Sequence, residues 1–305
     1  AEKTRVRQVV VRRMKSEINQ RTNPPKFSHR NDPQPLELDN HFGSSDNHEL
    51  GLIFAVEEFK KKLRSIVAQD NRRKTAGFFA IEVLGKRLLS CPMTFLESWQ
   101  RCKESLGIAD AEAAAEAEQE LAGLSSSLNA EVTDDKEAQV TGVTAASRVG
   151  AWLVNFADAL APEISAIDKA VEELGVDLKK DITSQIPNSD ARFELLCKLI
   201  RSRLMDGKNW KSDERLVVFT EYKTTQDYLL RRLTEEFHDK ENQRITVLYG
   251  GMDDAEREVI KRRFNDEGDD VRILIATDAA SEGLNLQETA RYLLHFDCPW
   301  NPSRL

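Results

Sequence analysis

The chain has 305 residues, 40% of them hydrophobic and 31% charged, with a formal net charge of -8. That length and apolar content suffice for about two domains with sizeable cores. No run approaches the roughly 18 apolar residues of a membrane span, and the start "AEKTRVRQVVVRRMK" lacks the apolar region of a signal peptide.

Cys91, Cys102, Cys197 and Cys298 form no CxxC pair. Buried thiols in a reducing, cytoplasmic setting are expected, with no disulfide framework, no metal and no membrane partner. Charge is divided along the chain. Residues 1–30 hold nine Lys/Arg against two Asp/Glu, residues 56–90 nine against four, and residues 104–190 five against eighteen. Each basic stretch is either a solvated face or a footprint on a phosphate backbone.

In chain order, Val6, Val10, Met14 and Ile18 recur every four residues, which predicts a helix carrying Arg12, Arg13 and Lys15 and ended by Asn23-Pro24-Pro25. Val56, Phe59, Leu63 and Ile66 mark an amphipathic helix, and Phe79, Val83 and Leu84 open another that Pro92 limits. Residues 104–145, rich in Ala, Glu, Ser and Asp, suit an exposed helix and a flexible linker rather than a core. Helical spacing returns with Trp152, Phe156, Leu160, Ile164, Ile167, Val171 and Leu174, Pro162 starting a new turn.

From 191 onward strands alternate with helices. A helix through Phe193, Leu196, Leu199 and Ile200 leads to the strand "RLVVFT" (215–220), a helix around Tyr228 separates it from "ITVLYG" (245–250), and a helix around Val259 separates that strand from "VRILIAT" (271–277), with "RYLLHFD" (291–297) last. The rhythm predicts an α/β fold with a parallel sheet flanked by helices. Ligands meet such sheets beyond the carboxyl ends of the strands. There the sequence places Thr220-Glu221, Gly250-Gly251, Thr277-Asp278 and Asp297. Three parts follow: a basic lead-in and helical segment at 1–103, an acidic, partly flexible helical insertion at 104–190, and an α/β lobe at 191–305. No GxxxxGK[ST] and no GxGxxG after a strand occur, so nothing in these residues cradles a triphosphate alone. Arg257 reads as a helix-surface ion-pair partner of Asp253 or Glu258. Trp300 reads equally as core or as a lobe contact.

Four stretches, "VVFTEYKTT" (217–225), "LYGGMDDAEREVIKRRF" (248–264), "ILIATDAASEGLNLQ" (273–287) and "HFDCPWNPSRL" (295–305), together resemble the motifs of the second RecA-like lobe of superfamily 2 helicases. The Glu-Gly-Leu-Asn-Leu and Trp-Asn-Pro stretches are similar to the Swi/Snf-type branch, and "VVVRRMKSEI" (9–18) to the basic segment entering that lobe. "EVLGKRLLSCPMTFLESW" (82–99) is similar to bacterial RapA-like members, and a resemblance extends to the helicase subunit of the DISARM phage-defence system.

The resemblance implies a motor lobe of an ATP-dependent, double-stranded DNA translocase, with ATP and Mg2+ held between it and an N-terminal motor lobe. It implies nucleic-acid contact at Thr220, Gly250, Thr277 and Gly283, with Arg12, Arg13 and Lys15, and a nucleotide-cleft role for Glu282, Gly283 and Asn285. Asp278 and Glu282 would couple the two. Small residues at 279–281 would let a duplex backbone approach. The family's QRxGRxxR motif would begin after Leu305, so the chain is expected to be part of a longer protein, inactive by itself. The acidic insertion offers a surface to a protein partner. The alternative is a non-catalytic nucleic-acid-binding or protein-interaction module.

Overall fold

The computed structural model describes residues 18, 20–24, 34–38, 48–68, 70–124, 135–239, 241, 243–280, 284, 286 and 288–297, with backbone alone at 71, 72, 124 and 135–141. The chain divides into a unit at Ala1–Glu37 and a unit at Leu38–Leu305. In the first unit Ile18, Gln20 and Arg21 are helical, and the Thr22 hydroxyl donates to the Ile18 carbonyl at 3.1 Å. Val6, Val10 and Met14 of the expected helix lie outside the described residues, and the chain bends at 22–24, ahead of Pro25.

The second unit begins with a layer of helices. α1 (His48–Val67) buries Leu52, Val56, Phe59 and Leu63 on one stripe, each worth about 1.5–3 kcal/mol against exposure. α2 (Asn71–Ser90) returns antiparallel to it, Gly77 lying against Val67 and Gly85 against Lys60. Pro92 limits α2 as expected and starts α3 (Pro92–Ile108), where a missing N–H is harmless. α3 buries Phe95, Leu96, Trp99 and Cys102, with Trp99 stacked on Phe95 and edge-on to Phe59.

α4 (Ala111–Leu124), α5 (Asp135–Leu153) and α6 (Ala157–Glu173) follow. The line between 103 and 104 falls inside α3, and the described helices on either side of it share one core. The acid-rich composition hides a narrow seam. Ala114, Ala117 and Leu121 of α4 are fully buried while Glu112, Glu116 and Glu120 are exposed, because alanine lets neighbouring helices approach closely; Glu118, half-buried, accepts from Trp152 Nε1 at 3.4 Å. All seven periodic residues from Trp152 to Leu174 are buried. Pro162, however, lies inside α6 and starts no turn; the break comes at a 3-10 turn over Val154–Phe156. So near the start of a helix, proline loses a single backbone bond, which the buried Leu160 and Ile164 stripe outweighs.

α7 (Ala191–Leu204) leads through a small hairpin, β1 (Met205–Asp206) with β2 (Asn209–Trp210), which the sequence reading missed, into the sheet. β3 (Leu216–Thr220), β4 (Ile245–Leu248), β5 (Ile273–Thr277) and β6 (Tyr292–His295) form one parallel sheet in the order β4-β5-β3-β6, confirming the α/β reading. Register aligns Thr220 with Thr277, and Phe219 with both Ala276 and His295. The inner strands β3 and β5 are apolar on both faces, as parallel strands covered by helices require, whereas the edge strand β6 leaves Leu293 exposed. Leu216, Val218, Ile273 and Ile275 pack toward α8 (Lys223–Glu236) and the helical layer. Val217, Leu274 and Ala276 pack toward Ile260 and Phe264 of α9 (Asp254–Asn265). Arg215, 1% exposed, closes α9 by donating to the carbonyls of Arg263, Phe264, Asp266 and Asp269.

Two buried acids hold α7 to the rest. Asp190 caps it, accepting from Phe193 N at 2.9 Å and from the Tyr228 hydroxyl at 2.7 Å. Glu49 of α1, 1% exposed, accepts from Ala191 N at 3.0 Å. Burial, then the Asp190 charge, push Glu49 up to about 6. A carboxyl bound to its proton more tightly when folded contributes stability present below its ordinary value and lost as pH rises toward 6. Glu49→Gln, which mimics the protonated form, is expected to be about 1–2 kcal/mol more stable than wild type at pH 8, the gap closing by pH 4.5. Urea titrations at the two pH values check this; a variant less stable at both would show that the charge itself is needed.

Candidate functional site

The carboxyl ends of β3, β4, β5 and β6 come out on one edge, and three side chains from outside the strands hold that edge together. The first is Asp297, two residues beyond β6 and 8% exposed. Its carboxylate accepts from the Thr220 hydroxyl at 2.9 Å, from Glu221 N at 2.8 Å and from the Ser90 hydroxyl at the end of α2. Ser90 in turn shares a hydrogen bond with Thr225 at 2.7 Å, and Thr225 another with Thr94 at 2.8 Å. Ser90, Thr94, Thr220 and Thr225 are all essentially solvent-free. Burial raises the Asp297 carboxyl above its ordinary range, against the pull of Ser90, Glu221 and Thr220. One carboxylate thereby joins the last strand, the first strand of the sheet and the helical layer.

The second is Gln226, in the first turns of α8 and fully buried. Its amide donates to the Leu248 carbonyl at 2.9 Å and the Ile275 carbonyl at 2.8 Å, bridging β4 and β5 where the ladder ends. The third is Arg257 of α9, which donates to the Ala280 carbonyl at 2.7 Å. This corrects its reading as a surface ion-pair partner of Asp253 or Glu258: the guanidinium reaches across to the short 3-10 turn Asp278–Ala280 that follows β5. Asp253 instead caps α9, accepting from Ala255 N and Glu256 N.

Around these fixed points the loops are polar and half open. Glu221, Tyr222, Lys223 and Thr224 are each partly exposed. The Lys223 ammonium lies 4.8 Å from the centre of the Tyr249 ring, and Arg87 of α2 lies over Tyr222 at 5.4 Å. Thr224 donates to Glu97 of α3 at 2.9 Å, so the helical layer meets the edge a second time. Gly251 has φ +78, a conformation that glycine alone adopts freely, and it turns the chain from β4 toward α9.

The residues singled out in the sequence fall as follows. Thr220 and Thr277 pair in register at the edge and are both 0% exposed, the Thr220 hydroxyl being given to Asp297. Gly250 is buried and Asp278 half-buried on the same edge. Glu282, Gly283, Asn285, Arg12, Arg13, Lys15 and Trp300 lie outside the described residues. Sequence reasoning missed Gln226, Ser90, Thr94 and Thr225. A signal existed for two of them: Thr225 and Gln226 occupy positions of α8 that its buried stripe would otherwise fill with apolar residues. Cys91, Cys102 and Cys197 are buried free thiols, each pushed up chiefly by burial. Among the described residues no group of three His, Cys, Asp or Glu side chains is placed to hold a metal, and no helix is long and apolar enough to cross a membrane.

Residues 191–305 match the family model of the helicase conserved C-terminal domain. The chain is 34% identical over 95 residues to an uncharacterized ATP-dependent helicase, YqhH, of Bacillus subtilis, covering 31% of this chain and 15% of that protein. To the RNA polymerase-associated protein RapA of Vibrio campbellii it is 33% identical over 146 residues, covering 48% and 14%. To the ATP-dependent RNA helicase DBP5 of Candida albicans it is 27% identical over 144 residues, covering 47% and 24%. The chain thus spans a quarter or less of the length of these relatives. Among solved structures it is similar to the C-terminal part of the Fun30 ATPase domain, at 15% identity and a TM-score of 0.41, over 84% of this chain and 73% of that one.

Proposed function

We propose that residues 191–305, a helicase C-terminal domain of the superfamily 2 type, serve as the second motor lobe of an ATP-dependent translocase on double-stranded DNA. The observation that carries this reading is that the four motif-bearing stretches leave β3, β4, β5 and β6 at one edge of one parallel sheet. A motor of this kind holds ATP and Mg2+ between two lobes, one bringing a phosphate loop and the other closing the cleft. The 305 residues contain no phosphate loop, so this lobe supplies one wall.

The edge divides the work. Thr220 and Thr277 are too deeply buried to touch a track, so we assign them to holding the loops, and direct phosphate contact to backbone N–H groups and exposed side chains beyond Gly250 and Asp278, with Gly283, Arg12, Arg13 and Lys15. Glu282, with Asp278, couples that contact to the cleft, where Gly283 and Asn285 face nucleotide. Grip on phosphate rather than on base edges makes the motor largely indifferent to sequence.

The 305-residue chain by itself is expected to release no phosphate from ATP above background, with or without DNA, in a colorimetric assay. The intact protein should hydrolyse ATP in response to duplex DNA more than to single strands or RNA. There, Glu282→Ala should lower stimulated hydrolysis about tenfold or more while duplex affinity changes about twofold, since the carboxylate acts chiefly in the closed state. Equal losses of rate and affinity would remove the coupling role. Hydrolysis by the isolated chain would overturn the two-lobe reading.

A further inference from the structure

We infer that the turn between α1 and α2 is a second phosphate-backbone contact, which grips duplex DNA beside the stretch seated at the sheet edge; this rests on the reading of residues 191–305 as a DNA motor lobe. From Lys60 to Lys74 the sequence has seven Lys/Arg and one acid, Asp70. Lys61, Lys62 and Arg64 are exposed near the end of α1, and Arg73 and Lys74 near the start of α2. Two of these charges are met locally, Lys61 by Glu58 at 2.5 Å and Arg73 by Asp70 at 3.6 Å. Lys62, Arg64 and Lys74 pair with no carboxylate among the described residues, and the Lys74 ammonium sits 5.9 Å from the centre of the half-exposed Phe78 ring. Three uncompensated cations, one of them beside an aromatic ring, on a chain that is acidic as a whole, suit a polyanion.

The position of this turn is what ties it to the track. The far end of α2 is fixed to the sheet edge, where Ser90 donates to Asp297 and its carbonyl accepts from Arg192 at 3.1 Å. A helix rises about 1.5 Å per residue, so the basic turn stands about 25–30 Å from that edge at the tip of an antiparallel hairpin whose inner face is buried. On a duplex rising about 3.4 Å per base pair, that offset corresponds to roughly eight base pairs. A helix pair anchored in this way holds the two contacts at a constant spacing.

The test is fluorescence anisotropy with the 305-residue chain and labelled duplexes of about 5 base pairs, closed by a hairpin loop, and about 24 base pairs, across a salt series. On the longer duplex, the combined change Lys62→Glu, Arg64→Glu and Lys74→Glu should weaken binding about tenfold or more at low salt. The slope of log affinity against log salt should fall by about 2–3, near 0.9 for each phosphate that is no longer neutralised. The triple alanine variant should show most of the same slope change, and melting temperatures unchanged from wild type exclude misfolding. On the shorter duplex, which cannot span both contacts, wild type and variants should bind alike within about twofold. If wild type binds the long duplex and the variants match it, the second contact is refuted while the lobe reading stands. Equal losses on both duplexes would also refute it, since the turn would then lie at the main site. Failure of wild type to bind either duplex overturns the two readings together.

Discussion

Replacing Asp297 with alanine should destabilise the chain by about 3–5 kcal/mol. The carboxylate is the common acceptor for Thr220, Glu221 N and Ser90, and its loss leaves donors in a space that excludes water, each worth about 1–3 kcal/mol when unmet. Asp297→Asn separates the hydrogen bonds from the charge. The amide oxygen can still accept, the hydroxyls of Ser90 and Thr220 can rotate to receive the new N–H groups, and burial already holds the acid toward its protonated form. The asparagine variant should therefore lie within about 1 kcal/mol of wild type at neutral pH. Urea unfolding of both variants measures this. An alanine variant within about 1 kcal/mol of wild type would mean that the edge is held elsewhere, and Gln226 would be the next candidate.

Gly150→Ala should be as damaging, for a steric reason. Gly150 lies in α5 where it crosses α3, and an added Cβ would stand 2.8 Å from both the Cα and the carbonyl carbon of Cys102, closer still to the carbonyl oxygen. The obstacle is backbone, so no rotamer change relieves it, and α5 must move away from the seam that also holds Val149, Trp152 and Leu153. A loss of about 3 kcal/mol or more is expected, at the upper end of overpacking penalties. Gly51 of α1 is the control, because nothing lies within 4 Å of its missing Cβ. There alanine should stabilise by about 0.5–1 kcal/mol, since it restricts the unfolded chain. Thermal melts of the two variants should move in opposite directions; similar shifts would refute the close-crossing account.

The sheet was readable because its strands say the same thing at every level. Runs such as Leu216–Thr220 and Ile273–Thr277 are β-branched or apolar throughout and stop at polar residues, which is what burial on both faces demands. α3 was unreadable by the same logic. Thr94 and Ser98 are buried among Phe95, Leu96 and Trp99, so its inner face is not uniformly apolar and its period is obscured. The acidic composition of 104–124 concealed a seam made mostly of alanine, which contributes little hydrophobicity yet packs fully. The edge itself was legible as a row of strand ends; its fastenings were not. Arg257 reads as a local ion pair because periodicity sees three or four residues ahead, whereas its acceptor is 23 residues away. Ser90 and Asp297 are 207 residues apart, and no local pattern records such a pairing.

That separation also orders the assembly of the chain. The helices from α1 to α6 find their partners within about a hundred residues, so they can settle while later residues are still being synthesised. β3 has no neighbour until β5 is made, and its other side stays open until β6, the last strand among the described residues. Contacts that close long loops form late and slowly. Asp297 lies two residues beyond β6, so its bond to Ser90 forms no earlier than that strand, and until then β3 exposes an unpaired apolar edge of the kind that aggregates or recruits a chaperone. Of the three side chains that hold the finished edge together, Asp297 is thus the one whose arrival ends the exposure of β3.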